Sequence, residues 1–192
     1  MKKLFKNKIF KLSVSLFIIT ATVSLVLAGV NMLTESRIAA HTAQKEIETV
    51  RSYYVYGTTF EKQKSDLRFT HDSFDYFVAK TEAGETLGYA TTVTANGYGG
   101  AIEMMVCFDV YGQVNGMGVI SWSETSGVGT RVEGEGFYQQ FIGKIAPFKP
   151  VSGATKNRNE ISVLSGASVS SKAVTAAVNK AYARLAYLFI EE

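Results

Sequence analysis

Nineteen consecutive residues, 12–30, are apolar apart from Ser, Thr and Gly, and Lys2, Lys3, Lys6, Lys8 and Lys11 stand directly before or at the edge of them. No other stretch restricts the fold as strongly. At about 1.5 Å per helical residue the run is roughly 28 Å long, close to the ~30 Å hydrocarbon layer of a bilayer. In lipid each backbone N–H and C=O must find its partner within the segment, so the run is expected to be a helix. Lysines before it and few just after it put the N-terminus in the cytoplasm and the remainder outside. A cleaved signal peptide is the alternative, since Val26-Leu27-Ala28 is an acceptable small-residue site. The run exceeds the ~7–15 residues of a signal-peptide core, which favours a retained anchor.

The same lysines account for the net charge of +3. Without them 15 basic residues face 17 acidic ones, so the rest of the chain is nearly neutral and nucleic acid is not an expected partner. Cys107 is the only cysteine, which excludes an internal disulfide. Its surroundings, Met104-Met105-Val106-Cys107-Phe108, read as a strand with a small buried hydrophobe. His41 and His71 have no partner at metal-ligand spacing. A histidine metal site and a Ser-His-Asp hydrolase are therefore not expected, and no catalytic residue is assigned.

From Thr34 the pattern becomes amphipathic and predicts a helix to about Tyr54 that ends near Gly57. Residues 58–70 carry little signal. Strand alternation then runs from Ser73 to Ala95, with Glu82-Ala83-Gly84-Glu85 as a hairpin turn. A second hairpin spans Ile102–Asp109 and Val114–Ser123, turning at Tyr111-Gly112, and Gly97-Tyr98-Gly99-Gly100 separates the two. Phe137, Phe141 and Ile142 predict a helix over about 135–145, and Pro147 and Pro150 interrupt the chain beyond it. The expected class is α+β: one N-terminal transmembrane helix, an antiparallel sheet and a C-terminal helix packed on it. The expected divisions are 1–11, a basic cytoplasmic tail; 12–33, the span; 34–57, a juxtamembrane helix; and 58–192, an extracytoplasmic domain.

Two loops rich in hydroxyls and glycine are the candidate functional stretches. One is Ser123-Glu124-Thr125-Ser126-Gly127-Val128-Gly129, which cradles a ligand or merely ends a strand. The other is Ser165-Gly166-Ala167-Ser168, just before a helical pattern that starts at about Ser170 and places Val174, Ala177, Val178, Ala181, Leu185, Leu188 and Phe189 near one face. A hydroxyl there lies near unpaired amides and the positive end of a helix dipole, which suits a phosphate. The simpler reading is a glycine turn with Ser170 or Ser171 as N-cap.

Taken in order, these stretches resemble the FMN-binding G subunit of the Rnf electron-transport complex, which is related to the C subunit of the sodium-pumping NADH:quinone reductase. The resemblance rests on the basic tail and single span, Val30-Asn31-Met32-Leu33-Thr34, Gly97-Tyr98-Gly99-Gly100, the 123–129 loop, Gly136-Phe137-Tyr138-Gln139-Gln140-Phe141-Ile142-Gly143-Lys144, and the run from Ser165 to Val174. It implies that residues 58–192 form an FMN-binding domain with FMN esterified through its phosphate to Ser168. It further implies that Ser165, Gly166, Ala167, Val169, Ser170, Ser171, Tyr98, Gly99, Glu124, Thr125, Gly127 and Gly129 surround the cofactor. The implied partners are the other membrane and peripheral subunits of the complex, a flavin transferase for maturation, and membrane lipid. Two departures stand out: the acceptor is Ser rather than the family's Thr, and Ser162 occupies the position of the motif's Asp, with Glu160 nearby but out of register. A flavin-free structural subunit, the C subunit of the quinone reductase and a free-standing extracytoplasmic flavoprotein remain as alternatives.

Overall fold

A computed structural model describes residues 8–65, 73–122, 132 and 134–189. The chain divides into two compact units, Met1–Ala43 and Gln44–Glu192. The first contains most of a long helix, α1 (Lys8–Tyr53). Within it Phe10–Glu35 is long and apolar enough to cross a membrane, and none of that window is buried against protein. Two of its threonine hydroxyls are satisfied locally. Thr20 and Thr22 donate to the carbonyls of Leu16 and Ile18 at 3.0 and 2.8 Å, so neither hydroxyl would be left unmet in an apolar surrounding.

The second unit begins with the last ten residues of α1. It continues as a five-stranded antiparallel sheet in sequential order: β1 (Thr59–Lys64), β2 (Asp75–Lys80), β3 (Thr86–Asn96), β4 (Ala101–Asp109) and β5 (Val114–Trp122). Both expected hairpins are present, in the register Phe77↔Ala90 and Met105↔Gly118. Gly84 and Gly112 take left-handed backbone in their turns, at φ +85° and +81°. After the sheet come a short α2 (Glu135–Tyr138), a parallel pair β6 (Lys149–Val151) and β7 (Glu160–Ser162), and α3 (Ser168–Leu185) with a 3₁₀ turn at Ala186–Leu188.

Both faces of the sheet are covered. Val174, Ala177, Val178, Ala181 and Leu185 of α3 pack with Val93, Met104, Val106 and Phe108 on one face. On the other, Val50 and Tyr54 close over Phe77, Ala79, Ala90, Met105, Cys107 and Ile120. This double burial explains why Met104–Phe108 is apolar throughout rather than alternating. The seat for the end of α1 is cut by missing side chains. A Cβ on Gly116 would collide with the Tyr53 ring, and one on Gly118 would lie 3.0 Å from Thr49 Cγ2. Polar ties finish the joint: Tyr53 donates its hydroxyl to Met117 O at 2.7 Å, Tyr54 to Phe108 O at 2.6 Å, and Lys45 its ammonium to Ile120 O at 2.8 Å.

Three elements differ from expectation. The silent region 58–70 contains β1, a sheet-edge strand whose residues, Phe60 aside, are exposed, so no burial pattern marks it. The expected helix at 135–145 stops at Tyr138. Phe141 N–H and Lys144 N–H instead make i→i−3 bonds to Tyr138 O and Phe141 O at 3.0 and 3.1 Å, and Gly143 turns at φ +70°. Phe137 and Phe141 are still buried, edge-to-face at 5.6 Å, so aromatic packing rather than helical periodicity sets their spacing. The C-terminal helix begins at Ser168, two residues before the expected start.

Burial pushes the Cys107 thiol far above its ordinary range, and burial chiefly, with Cys107 next, does the same for the Tyr54 phenol. Both are acids held neutral in the fold. Their contribution is complete below the unfolded pKa and is lost as pH rises past it, from about 8.5 for the thiol and about 10 for the phenol. Urea midpoints of the full chain in detergent should therefore fall as pH rises above about 8.5. Cys107→Ala should delay the fall to about pH 10, and maleimide should label Cys107 only after unfolding. Labelling of the native protein would place the thiol outside the core.

Candidate functional site

Local chemistry shapes the segment before α3. Ala167 N–H donates to Leu164 O at 3.0 Å, and Gly166 between them has φ +79°. A bond from residue four to residue one with a left-handed glycine third is the pattern of a type II turn. Any other residue at 166 would hold that backbone under strain. The chain then enters α3 with Ala167 as N-cap and Ser168 as its first residue. Ala167 offers no capping side chain, and no acid stands in the first turn.

Ser170 and Ser171 are therefore not caps. Both are fully buried within the first turn. The first helical bond runs from Ser171 N–H to Ala167 O at 2.9 Å, so the amide of residue 171 is engaged within the helix. The amides of Ser168 and Val169 precede that bond, at the positive end of the dipole. Ser170 Oγ accepts the Tyr98 N–H at 3.4 Å, which ties the Gly97–Gly100 turn to the start of α3. That turn is closed by Gly97 N–H on Gly100 O at 2.8 Å.

A cavity of about 390 Å³ lies at this junction, lined by Tyr98, Gly166, Ala167, Ser168, Val169 and Ser170. Ser168 is exposed, and so are Tyr98 (69%) and Val169 (51%). Ser165 is exposed on the turn, and Gly99 lies in the neighbouring one. An anion fits this lining: among the described residues it presents a hydroxyl, a helix N-terminus and a left-handed glycine, and no carboxylate. Tyr98 and Val169 add exposed aromatic and aliphatic surface beside it. Glu124, Thr125, Gly127 and Gly129 lie outside the described residues.

Ser162 and Glu160 hold the neighbouring loops in place. Ser162 N–H donates to Gln140 Oε1 at 2.7 Å, Gln140 Nε2 donates to Ser162 O at 3.2 Å, and Ser162 Oγ donates to Gly153 O at 2.7 Å. A carboxylate at 162 would lack the proton for that last bond and would face a carbonyl. Glu160 accepts Lys156 N–H at 2.6 Å and Asn157 Nδ2–H at 2.8 Å, and these bonds, the Lys156 amide first, hold its carboxyl below the usual range. Glu160 thus closes its own turn. Gln140 as the clamp on Ser162 has no signature in the sequence, where residues 135–145 read as a helix.

A second cavity, about 470 Å³, opens where β3 outruns β2. On its wall Lys62 pairs with Glu46 and Asp75, each at 3.4 Å, and Arg184 lies over the Phe74 ring at 4.9 Å while donating to Thr92 O.

Residues 97–183 match the FMN-binding domain family, a span that starts at the glycine turn beside Tyr98 and contains nearly all of α3. The chain is 28% identical over 176 residues, 92% of its length and 91% of the relative's, to the G subunit of the proton-translocating ferredoxin:NAD(+) oxidoreductase complex of Clostridium ljungdahlii. It is 29% identical over 185 residues, 89% of its length and 88% of the relative's, to the G subunit of the Na(+)-translocating ferredoxin:NAD(+) oxidoreductase complex of Acetobacterium woodii. In fold it is similar to the crystal structure of the C subunit of Na(+)-translocating NADH-quinone reductase from Parabacteroides distasonis. There the TM-score is 0.61 at 13% identity, over 83% of this chain and 98% of that one.

Proposed function

We propose that this chain, which carries an FMN-binding domain and is related over about nine-tenths of its length to the G subunits of ion-translocating ferredoxin:NAD(+) oxidoreductase complexes, is the membrane-anchored flavoprotein subunit of such a complex. The observation that carries the reading is Ser168: an exposed hydroxyl on the first residue of α3, beside a left-handed glycine and at the wall of a cavity. In this reading Ser168 Oγ holds FMN as a phosphoester. The amides of Ser168 and Val169 and the dipole of α3 face the phosphate, while Tyr98 and Val169 flank the ring system, and Ser165, Gly166 and Ala167 give the turn its close approach. The flavin supplies one- and two-electron chemistry, and this chain supplies its position.

Attachment is a group transfer. Ser168 Oγ–H attacks the phosphorus bearing the riboflavin of a dinucleotide donor such as FAD. The new O–P bond replaces the P–O–P bridge, AMP leaves, and the hydroxyl proton passes to a base on the transferase. The partners are that transferase, the other subunits of the complex and membrane lipid. The basic tail lies in the cytoplasm, the span crosses the membrane once, and the flavin domain lies outside.

The test is the full chain co-expressed with a flavin transferase. Denaturing electrophoresis should show a fluorescent band, and the intact mass should rise by one FMN residue, because an ester survives unfolding. Protease added to the outer face should remove that fluorescence from sealed cells with a permeable outer layer. An unmodified mass despite an active transferase would overturn the carrier reading and leave a flavin-free structural subunit. A protected domain would overturn the topology.

A further inference from the structure

We propose that Ser171, buried and three residues past the attachment hydroxyl, is a positioning residue: it holds the 164–167 turn in the shape that presents Ser168 to the transferase, and it does not itself touch flavin. This rests on the reading of Ser168 above. Four hydrogen bonds close the turn onto α3. Ala167 N–H donates to Leu164 O at 3.0 Å, and Ser171 N–H to Ala167 O at 2.9 Å. Ser171 Oγ supplies the other two, donating to Ala167 O at 2.8 Å and accepting Leu164 N–H at 3.1 Å. The hydroxyl therefore bridges the first and last residues of the turn. Leu164 is held at both of its backbone polar groups, one by Ala167 and one by Ser171.

Buried Ser and Thr in helices often donate to the carbonyl four residues back, with no role beyond their own satisfaction. Thr175, one turn later on the same helix, does that and no more: its Oγ1 donates to Ser171 O at 2.8 Å, and it is equally buried. The bond from Leu164 is what separates Ser171 from this background. It crosses out of the helix into the loop that carries the glycine at φ +79°. Ser171 does not line the cavity although its neighbour Ser170 does, so the loss of its hydroxyl acts through the turn. Thr175 is thus a control within the same helix.

The experiment uses the purified, unmodified full chain in detergent, with a flavin transferase and FAD, and reads the initial rate of covalent flavin appearance by in-gel fluorescence and intact mass. Melting curves of each variant are recorded, and the rates are measured well below every transition. Ser171→Ala should slow attachment by about 10- to 100-fold, the scale on which misplacement of a reacting group by an ångström acts. The loss should fall mainly on kcat rather than KM. Ser171→Cys keeps the side-chain shape at a slightly larger volume and weakens both bonds, so it should also be slowed and carries the test if Ser171→Ala does not fold. Thr175→Val should react at the wild-type rate. A wild-type rate for a folded Ser171→Ala or Ser171→Cys overturns the proposal, as does an equal slowing of Thr175→Val, which would mark general loosening of the helix. Failure of the wild-type chain to take flavin would instead overturn the attachment itself.

Discussion

Ser168→Ala is expected to abolish covalent flavin, while Ser168→Thr is expected to keep it. The effect should be complete because, among the described residues, no neighbouring hydroxyl can take over. Ser170 and Ser171 are fully buried, and Ser171 Oγ is engaged with both Leu164 and Ala167. Ser165 is exposed but sits before Gly166, on the far side of a turn that reverses the chain, so its hydroxyl is not on the first turn of α3. Ser165→Ala should accordingly retain the fluorescent band. Melting of Ser168→Ala should match wild type, since an exposed residue that caps nothing contributes little to stability. A fluorescent band in Ser168→Ala would move the attachment point elsewhere, and mapping the modified peptide would show where.

Leu185→Asp should unfold the second unit. Leu185 is fully buried at the last turn of α3, in the cluster that also contains Phe108, Val174, Val178 and Ala181. Removing such a side chain costs about 2–5 kcal/mol, and an unpaired carboxylate in its place adds at least a further ~2 kcal/mol. Set against a total of about 5–15 kcal/mol for a domain, this reaches the scale of the whole stability. The expected result is loss of the cooperative melting transition together with loss of flavin attachment, because α3 carries the acceptor at its other end. Leu185→Met, which conserves volume, should cost less than about 1.5 kcal/mol and leave attachment intact. Wild-type melting of Leu185→Asp would remove the end of α3 from the core.

The parts legible in the sequence are those whose determinants are local. Residues 12–30 must be helical in any apolar solvent, because the backbone has no other partner there. The two hairpins follow from alternation and from glycines that can turn left-handed, Gly84 and Gly112. The α3 face is readable because one helix repeats its own contact every three or four residues. Gly166 before a hydroxyl likewise marks a turn that a phosphate can approach.

What tertiary structure alone decided are the partners of those elements. The amphipathic pattern of residues 38–50 says that one face is covered, but the glycines that seat Tyr53 and Thr49 lie more than sixty residues away on β5. β1 is a strand because β2 offers it an edge, and its own residues carry no burial pattern to show it. The expected helix over 135–145 gave way to turns since Phe137, Phe141 and Phe148 pack edge-to-face, with a geometry that helical spacing does not impose. At the site, Ser170 and Ser171 read equally well as caps until the start of α3 at Ser168 places them inside its first turn. Their hydroxyls then reach Tyr98 and Leu164, groups that only the folded chain brings to them, because a hydrogen-bond partner is chosen by distance in space and not by distance along the sequence.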